Sequence, residues 1–148
     1  MLPVVANDVD VKDLAGIGIF SGVKKKDLHY VAAQFKREWF KRGETLVREG
    51  DPGGRLYVIT EGEARLVGED GRTRKRLGKG GLIGELSVFD PAPRSVTIEA
   101  ISDVSTLTLS SSAFLALLAD QPSIARGVIM VVVRRLREAE SRALAIHH

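Results

Sequence analysis

The apolar positions of this chain change period along its length. Leu14, Ile17 and Phe20 recur at three-residue steps, and Leu28, Val31, Ala32 and Phe35 keep a three-to-four spacing. Both patterns predict amphipathic helical turns before residue 38. From Trp39 the period falls to two. Leu56 and Val58 alternate with Tyr57 and Ile59, and Ala64 and Leu66 with Arg65 and Val67, as side chains do on opposite faces of a strand. Strands are predicted at 38–40, 45–47, 55–60, 64–68, 74–77, 95–101 and 104–109. Residues 1–12 show no period and are expected to form a loose arm.

Helical spacing returns after residue 110. Ser110-Ser111-Ser112 can cap a short helix at 113–119. Pro122 then interrupts, Ser123 caps again, and a long helix is predicted from about residue 124 to 146. Val128, Val131, Val132 and Val133 favour a strand locally, but the charged continuation from Arg134 to Glu140 contains no turn residue and decides for helix. Ile129, Val132, Leu136, Ala139, Ala143 and Ile146 fall on the spacing of a coiled-coil seam. The seam shrinks to alanines in its second half, so the helix is expected to act mainly as a mobile lid. Any homodimer through it is expected to be weak.

The turn residues set the fold class. Eleven of the fifteen glycines lie between Gly43 and Gly84, spaced as punctuation between short strands. Gly50-Asp51-Pro52-Gly53-Gly54 marks one turn, and Glu69-Asp70-Gly71-Arg72 predicts a hairpin with a type I′ turn. The expected fold is mainly β: an antiparallel jelly-roll β-barrel at about 38–110, with N-terminal helices at about 12–37 and C-terminal helices at about 111–146. All of it reads as a single domain over residues 1–148.

Composition narrows the class further. With 44% hydrophobic and 28% charged residues, the chain is globular, and it contains no cysteine for a disulfide or a thiolate metal site. That suits a reducing cytoplasm, the expected location. Apolar runs such as Val128 to Val133 are far too short to span a bilayer, so no membrane contact is expected. The net charge of +3 comes from dispersed basic clusters that read as solvated surface, not as a nucleic-acid patch.

One stretch carries chemistry. Residues 81–97 run from glycines that leave backbone N–H groups uncovered into Glu85-Leu86-Ser87-Val88-Phe89, one apolar turn of helix stopped by Pro91 and Pro93. Uncovered N–H groups and the helix dipole favour an anion. Arg94, returned by the prolines, can offer a forked donor to the same anion. Glu85 beside a phosphate makes sense if it accepts a hydrogen bond from a sugar hydroxyl. The pattern therefore points to a sugar phosphate of low charge.

Gly84-Glu85-Leu86-Ser87 followed by Pro93-Arg94-Ser95-Val96-Thr97 closely resembles the phosphate-binding cassette of the cyclic-nucleotide-binding domain family, with Ile83 where the family usually has Phe. The resemblance extends over about residues 14–142 and includes Gly50-Asp51-Pro52-Gly53 and Leu56-Tyr57-Val58-Ile59. It implies a ligand, cAMP or cGMP, and no further cofactor. Gly84, Glu85, Arg94 and Ser95 would hold the ligand, with the N–H groups of Leu86 and Ser87 completing the cradle. It further implies Leu66 against the purine; Thr97 is the candidate for favouring guanine, although in the family that residue directly follows the Arg, where this chain has Ser95, and Arg135 of the long helix is expected near the ligand. The family's helix hydroxyl for adenine is replaced by Ala139, so weak discrimination with cAMP slightly favoured is expected. The implied function is a sensor or regulatory domain that signals through its C-terminal helix. The alternative is a scaffold of the same fold that does not respond to nucleotide. The chain ends where a winged helix would follow, so it is not expected to bind DNA alone, and an effector domain in a longer parent protein is the implied partner.

Other chemistries fit poorly. Gly78-Lys79-Gly80-Gly81 lacks the Ser or Thr and the long helix of a P-loop. No histidine lies between His29 and His147, so a cupin-like metal site or a Ser-His-Asp arrangement cannot be built in the barrel. An enzyme is not expected.

Overall fold

The structure is a computed structural model that describes the backbone at residues 4–6, 8–89, 94 and 96–146, and the side chains of these apart from 4–6, 86–87 and 145–146. In chain order the elements are β1 (Val4–Ala6), α1 (Val11–Leu14), α2 (Leu28–Ala33), β2 (Lys36–Phe40), β3 (Thr45–Val47), β4 (Arg55–Glu61) and β5 (Ala64–Val67). There follow β6 (Thr73–Leu77), β7 (Leu82–Ile83), α3 (Glu85–Phe89), β8 (Thr97–Ala100), β9 (Val104–Ser110), α4 (Ser111–Asp120) and α5 (Pro122–Ile146). Two 3-10 turns, Gly18–Phe20 and Lys25–Asp27, join the first helices.

Strand β4 is buried on both faces, and this sets the layering. Leu56 and Val58 face the helices together with Leu107, Leu109, Phe20, Val31, Phe114 and Ile124. Tyr57 and Ile59 face the second sheet, among Phe40, Leu46, Ile83, Ile98 and Val104. Alternation along β4 thus separates two cores from each other, not core from solvent. Each large side chain so buried contributes about 1.5–3 kcal/mol. The sheets run β1-β2-β9-β4-β7 and β3-β8-β5-β6, and all their pairings are antiparallel. This is the jelly-roll arrangement read from the strand pattern, with the helices gathered on the outer face of the first sheet.

Several local features differ from the sequence reading. The first residues are not a loose arm where they are described: β1 pairs with β2, Val4 opposite Trp39, and Asp10 forms a capping box with Asp13 at the start of α1. Three residues are too few to display an alternation. Strand β7 was likewise too short to read, yet it pairs with Tyr57 and Val58. Of the strand expected at 95–101, the described residues form Thr97–Ala100, with Val96 and Ile101 outside it. The hairpin after β5 is not type I′, because among the described residues only glycines have positive φ and Asp70 therefore does not. Instead the Gly71 N–H donates to Gly68 O at 3.0 Å, and Gly71 takes φ +79. This is a type I turn closed by a left-handed glycine, with the register shift of a bulge between Leu66 and Val67. Pro122 opens α5 instead of interrupting it, since the first helical position needs no N–H.

Helix α5 docks through Ile124 and Val128, with Val131 and Val132 packed at the edge of that core. Ile129 and Leu136 are exposed. The positions read as one seam are thus divided: Val132 turns to the chain's own core, Ile129, Leu136, Ala139 and Ala143 are exposed, and the side chain of Ile146 lies outside the described residues.

Candidate functional site

The site is built around a joint between strand and helix. The two-residue β7 is pinned to β4 and delivers Gly84, whose φ of +91 swings the chain into α3. Only glycine fits there. A Cβ on Gly84 would stand 2.5 Å from Nη1 of Arg94 and 2.6 Å from the Arg55 carbonyl oxygen. Arg94 is thereby laid across the start of α3, nine positions away in sequence. Its backbone is held on both sides: its N–H donates to Asp51 O at 2.7 Å, and its carbonyl accepts from the Gly50 N–H at 2.8 Å. Nη2 of its guanidinium donates to Arg55 O at 2.7 Å. The turn at 50–54 therefore holds the arginine in place.

Glu85, the first residue of α3, is 3% exposed, and Arg94 is 8% exposed. Burial pushes the Arg94 guanidinium below its ordinary value, and the nearby Tyr57 opposes this. Arginine stays charged through such a shift. Glu85 pairs through Oε1 with Arg135 of α5. Nη2 of Arg135 donates to Leu82 O at 2.6 Å. Burial lowers the Arg135 value too, with Glu138 acting against it. The long helix is thus fastened to the strand–helix joint by one side chain.

These groups line a cavity of about 240 Å³ between the second sheet, α3 and α5. Val47, Leu66, Leu77 and Ile98 make an apolar wall, and Arg94, Glu85 and Arg135 make a polar end. Such a division suits a ligand with a flat apolar part and an anionic part. At the rim, Lys75 of β6 reaches Glu138 of α5 at 3.3 Å.

Of the residues singled out in the sequence, Gly84, Glu85, Arg94, Leu66 and Arg135 come together in this cavity. Leu86 and Ser87 lie in the first turn of α3, where N–H groups have no carbonyl one turn back. Ser95, with Pro91 and Pro93, lies outside the described residues. Thr97 is a correction: it does not line the cavity, and its Oγ1 accepts from the Glu49 N–H at 2.9 Å. Side chains alternate on this segment, so Val96 and Ile98 face the cavity and Thr97 faces away.

The sequence reading missed Lys75, Glu138 and Arg142, which also line the cavity. Glu138 and Arg142 lie three and seven positions beyond Arg135, on the same helix face, so the spacing from Arg135 was the available signal. Glu38 on β2 was missed as well. It is 5% exposed, and its Oε2 has no hydrogen-bond partner among the described residues. Burial raises its carboxyl value against the opposing charge of Arg55. Tyr57 is raised by burial and then by Glu38.

A family model described as the cyclic nucleotide-binding domain matches residues 37–121. The chain is 35% identical over 132 residues to a CRP-like cAMP-activated global transcriptional regulator of Mycobacterium tuberculosis, covering 86% of this chain and 59% of that protein. It is 36% identical over 97 residues to a cAMP-dependent protein kinase regulatory subunit of Colletotrichum orbiculare, covering 65% of this chain and 25% of the relative. The crystal structure of the Thermus thermophilus catabolite activator protein superposes with a TM-score of 0.78 at 31% identity, over 87% of this chain and 62% of the other. The chain thus spans about three-fifths of the length of the full bacterial regulators it matches.

Proposed function

Because the chain belongs to the cyclic nucleotide-binding domain family, we propose that its cavity captures a cyclic nucleotide and reports the capture through α5. One observation carries the assignment to this cavity: Gly84 brings Glu85 and Arg94 to one polar end, against an apolar wall. Arg94 supplies a forked cationic donor for the cyclic phosphate, with the first N–H groups of α3 beside it. Glu85 accepts from the ribose 2′-hydroxyl. Leu66 and its apolar neighbours take the face of the purine. No bond is made or broken in this reading, and the role is regulation, not catalysis.

Arg135 and Glu138 tie α5 to the site from outside the barrel. A ligand that reaches Glu85 competes with or rearranges the Arg135 contact. It can therefore move the helix only as far as it prefers one arrangement over the other. That is how occupancy becomes a signal to an effector carried by a longer protein or bound to this one. DNA contact by these residues alone is not part of the reading. A domain that reads a second messenger in this way works in the cytoplasm.

Calorimetric titration of the chain with cAMP and with cGMP tests this. Saturable one-to-one binding is the expected result, and no heat with either nucleotide at millimolar concentration would overturn it. Ala139 is exposed and Thr97 faces away from the cavity. The expected preference is therefore for cAMP and under about a hundredfold, roughly 2.7 kcal/mol.

A further inference from the structure

A second concavity lies away from the nucleotide cavity, where the Gly18–Phe20 turn meets the start of α5. It encloses about 760 Å³. The junction is close: a Cβ on Gly127 would stand 2.8 Å from Cα of Ile19, so glycine is what lets the turn lie on the helix. Arg126, Met130 and Arg134 line one wall, all exposed, and Lys79 lines the other. The Lys79 Nζ reaches across to within 3.4 Å of where a Cβ on Gly16 would stand.

The charged side chains that line this cleft, Lys79, Arg126 and Arg134, are all of one sign. Arg37, Arg65, Lys75, Arg76 and Arg135 each have a carboxylate partner. Among the described residues, Arg126, Arg134 and Lys79 have no ion pair and no carboxylate lines the cleft. Three cations in one concavity attract an anion. The spacing shows what shape of anion. Arg126, Met130 and Arg134 stand at four-residue intervals on one helix face, so the two guanidinium bases are about 12 Å apart with an apolar side chain between them. In an extended peptide, every second side chain points the same way, and four residues cover about 13 Å.

We propose that this cleft docks an extended acidic segment of a partner protein with the pattern acid–x–apolar–x–acid. The two acids meet Arg126 and Arg134, the apolar side chain meets Met130, and Lys79 faces the peptide from the opposite wall. A single-stranded nucleic acid is less suited, since it needs aromatic platforms for its bases and, among the described residues, no aromatic side chain lines the cleft. The proposal stands independently of what fills the nucleotide cavity.

The test is fluorescence anisotropy of a labelled peptide, Ser-Glu-Ser-Leu-Ser-Glu-Ser, titrated with the 148-residue chain. Saturable binding is expected, weakened at least about tenfold in the double variant Arg126→Glu, Arg134→Glu by like-charge repulsion. Both side chains are exposed and neither lines the nucleotide cavity, so that variant should keep the circular dichroism and nucleotide titration of the parent. Moving the second Glu by one position turns it to the other side of the strand and should also weaken binding about tenfold. The proposal is overturned by no binding or by equal binding of the shifted peptide. Equal binding of a peptide with Gln for both Glu, or tighter binding of a single-stranded oligonucleotide of the same charge, overturns it too.

Discussion

Arg135 of the C-terminal helix pairs with Glu85 at the buried start of α3, and the same guanidinium donates to the Leu82 carbonyl at 2.6 Å. A single side chain thus fastens the longest helix to the segment that shapes the nucleotide cavity. Removing it should loosen both. Glu85 is almost fully buried, whereas the Arg135 side chain is 31% exposed. The cost of Arg135→Ala is therefore expected to be about 1–3 kcal/mol, below the 3–5 kcal/mol of a wholly buried pair. Denaturant melts without ligand measure it; an unchanged midpoint would mean that the contact fastens nothing.

Arg94→Ala takes away the forked donor proposed for the cyclic phosphate. Losing such a partner in a desolvated site typically costs about 2–5 kcal/mol, on the order of a hundredfold or more in affinity. A folded Arg94→Ala protein that binds cAMP as tightly as the parent would remove the cassette from the site.

The sugar is checked separately. A 2′-deoxy cyclic nucleotide is expected to bind clearly less tightly than the ribo form, and the difference should shrink in Glu85→Gln. Equal calorimetric affinities of the two sugars for the unchanged protein would take Glu85 out of that role.

Gly84→Ala places a methyl group where Arg94 and the Arg55 carbonyl already are, at a φ of +91 that alanine rarely adopts. Strain of this kind costs about 1–3 kcal/mol. Nucleotide affinity should fall together with stability, because Arg94 must shift to make room. Parent-like melting and binding would show that the joint is softer than its contacts suggest.

Glu38 gives the protein a pH signature. Burial raises its carboxyl value in the folded state, so the native chain keeps this proton to a higher pH than the unfolded chain does. Stability therefore falls as pH rises from the ordinary glutamate value, about 4.3, through the raised one, and above it the carboxylate stays charged in the core. The groups that act on it are Arg55, which opposes the shift, and Tyr57, which shares the layer. Glu38→Gln should melt higher than the parent at neutral pH, with the gap closing on acidification. A variant less stable than the parent at pH 7 would mean that Arg55 more than offsets the burial.

For α5 as a lid, nucleotide should slow amide exchange across residues 130–142, while light scattering at micromolar concentration stays near 16.1 kDa. A tight dimer with or without nucleotide, together with exchange that ignores the ligand, would make the helix an interface instead.

The cassette and the layout of helices and strands were legible in the sequence, because both are written in neighbouring residues. Gly84, Glu85 and Arg94 are recognisable from their spacing, the glycine turns punctuate the strands, and helical and strand periods show over a few residues. What the tertiary structure alone decided is which faces meet. Alternation along β4 gave no sign that both of its faces are buried, since Leu56 and Tyr57 are equally apolar and the helices that cover one face come from both ends of the chain. The partnership of Glu85 with Arg135 joins residues fifty positions apart through the rotation of α5 about its own axis, and that rotation is set by Ile124 and Val128 packing into the core. The same rotation brings Glu138 and Arg142 to the cavity and turns Ile129 and Leu136 away from it. Strand register did the rest. One position along the segment leading into β8 separates Val96, in the cavity, from Thr97, bonded to Glu49 behind it, because a strand shows successive side chains to opposite sides and only pairing with its neighbours fixes which side is which.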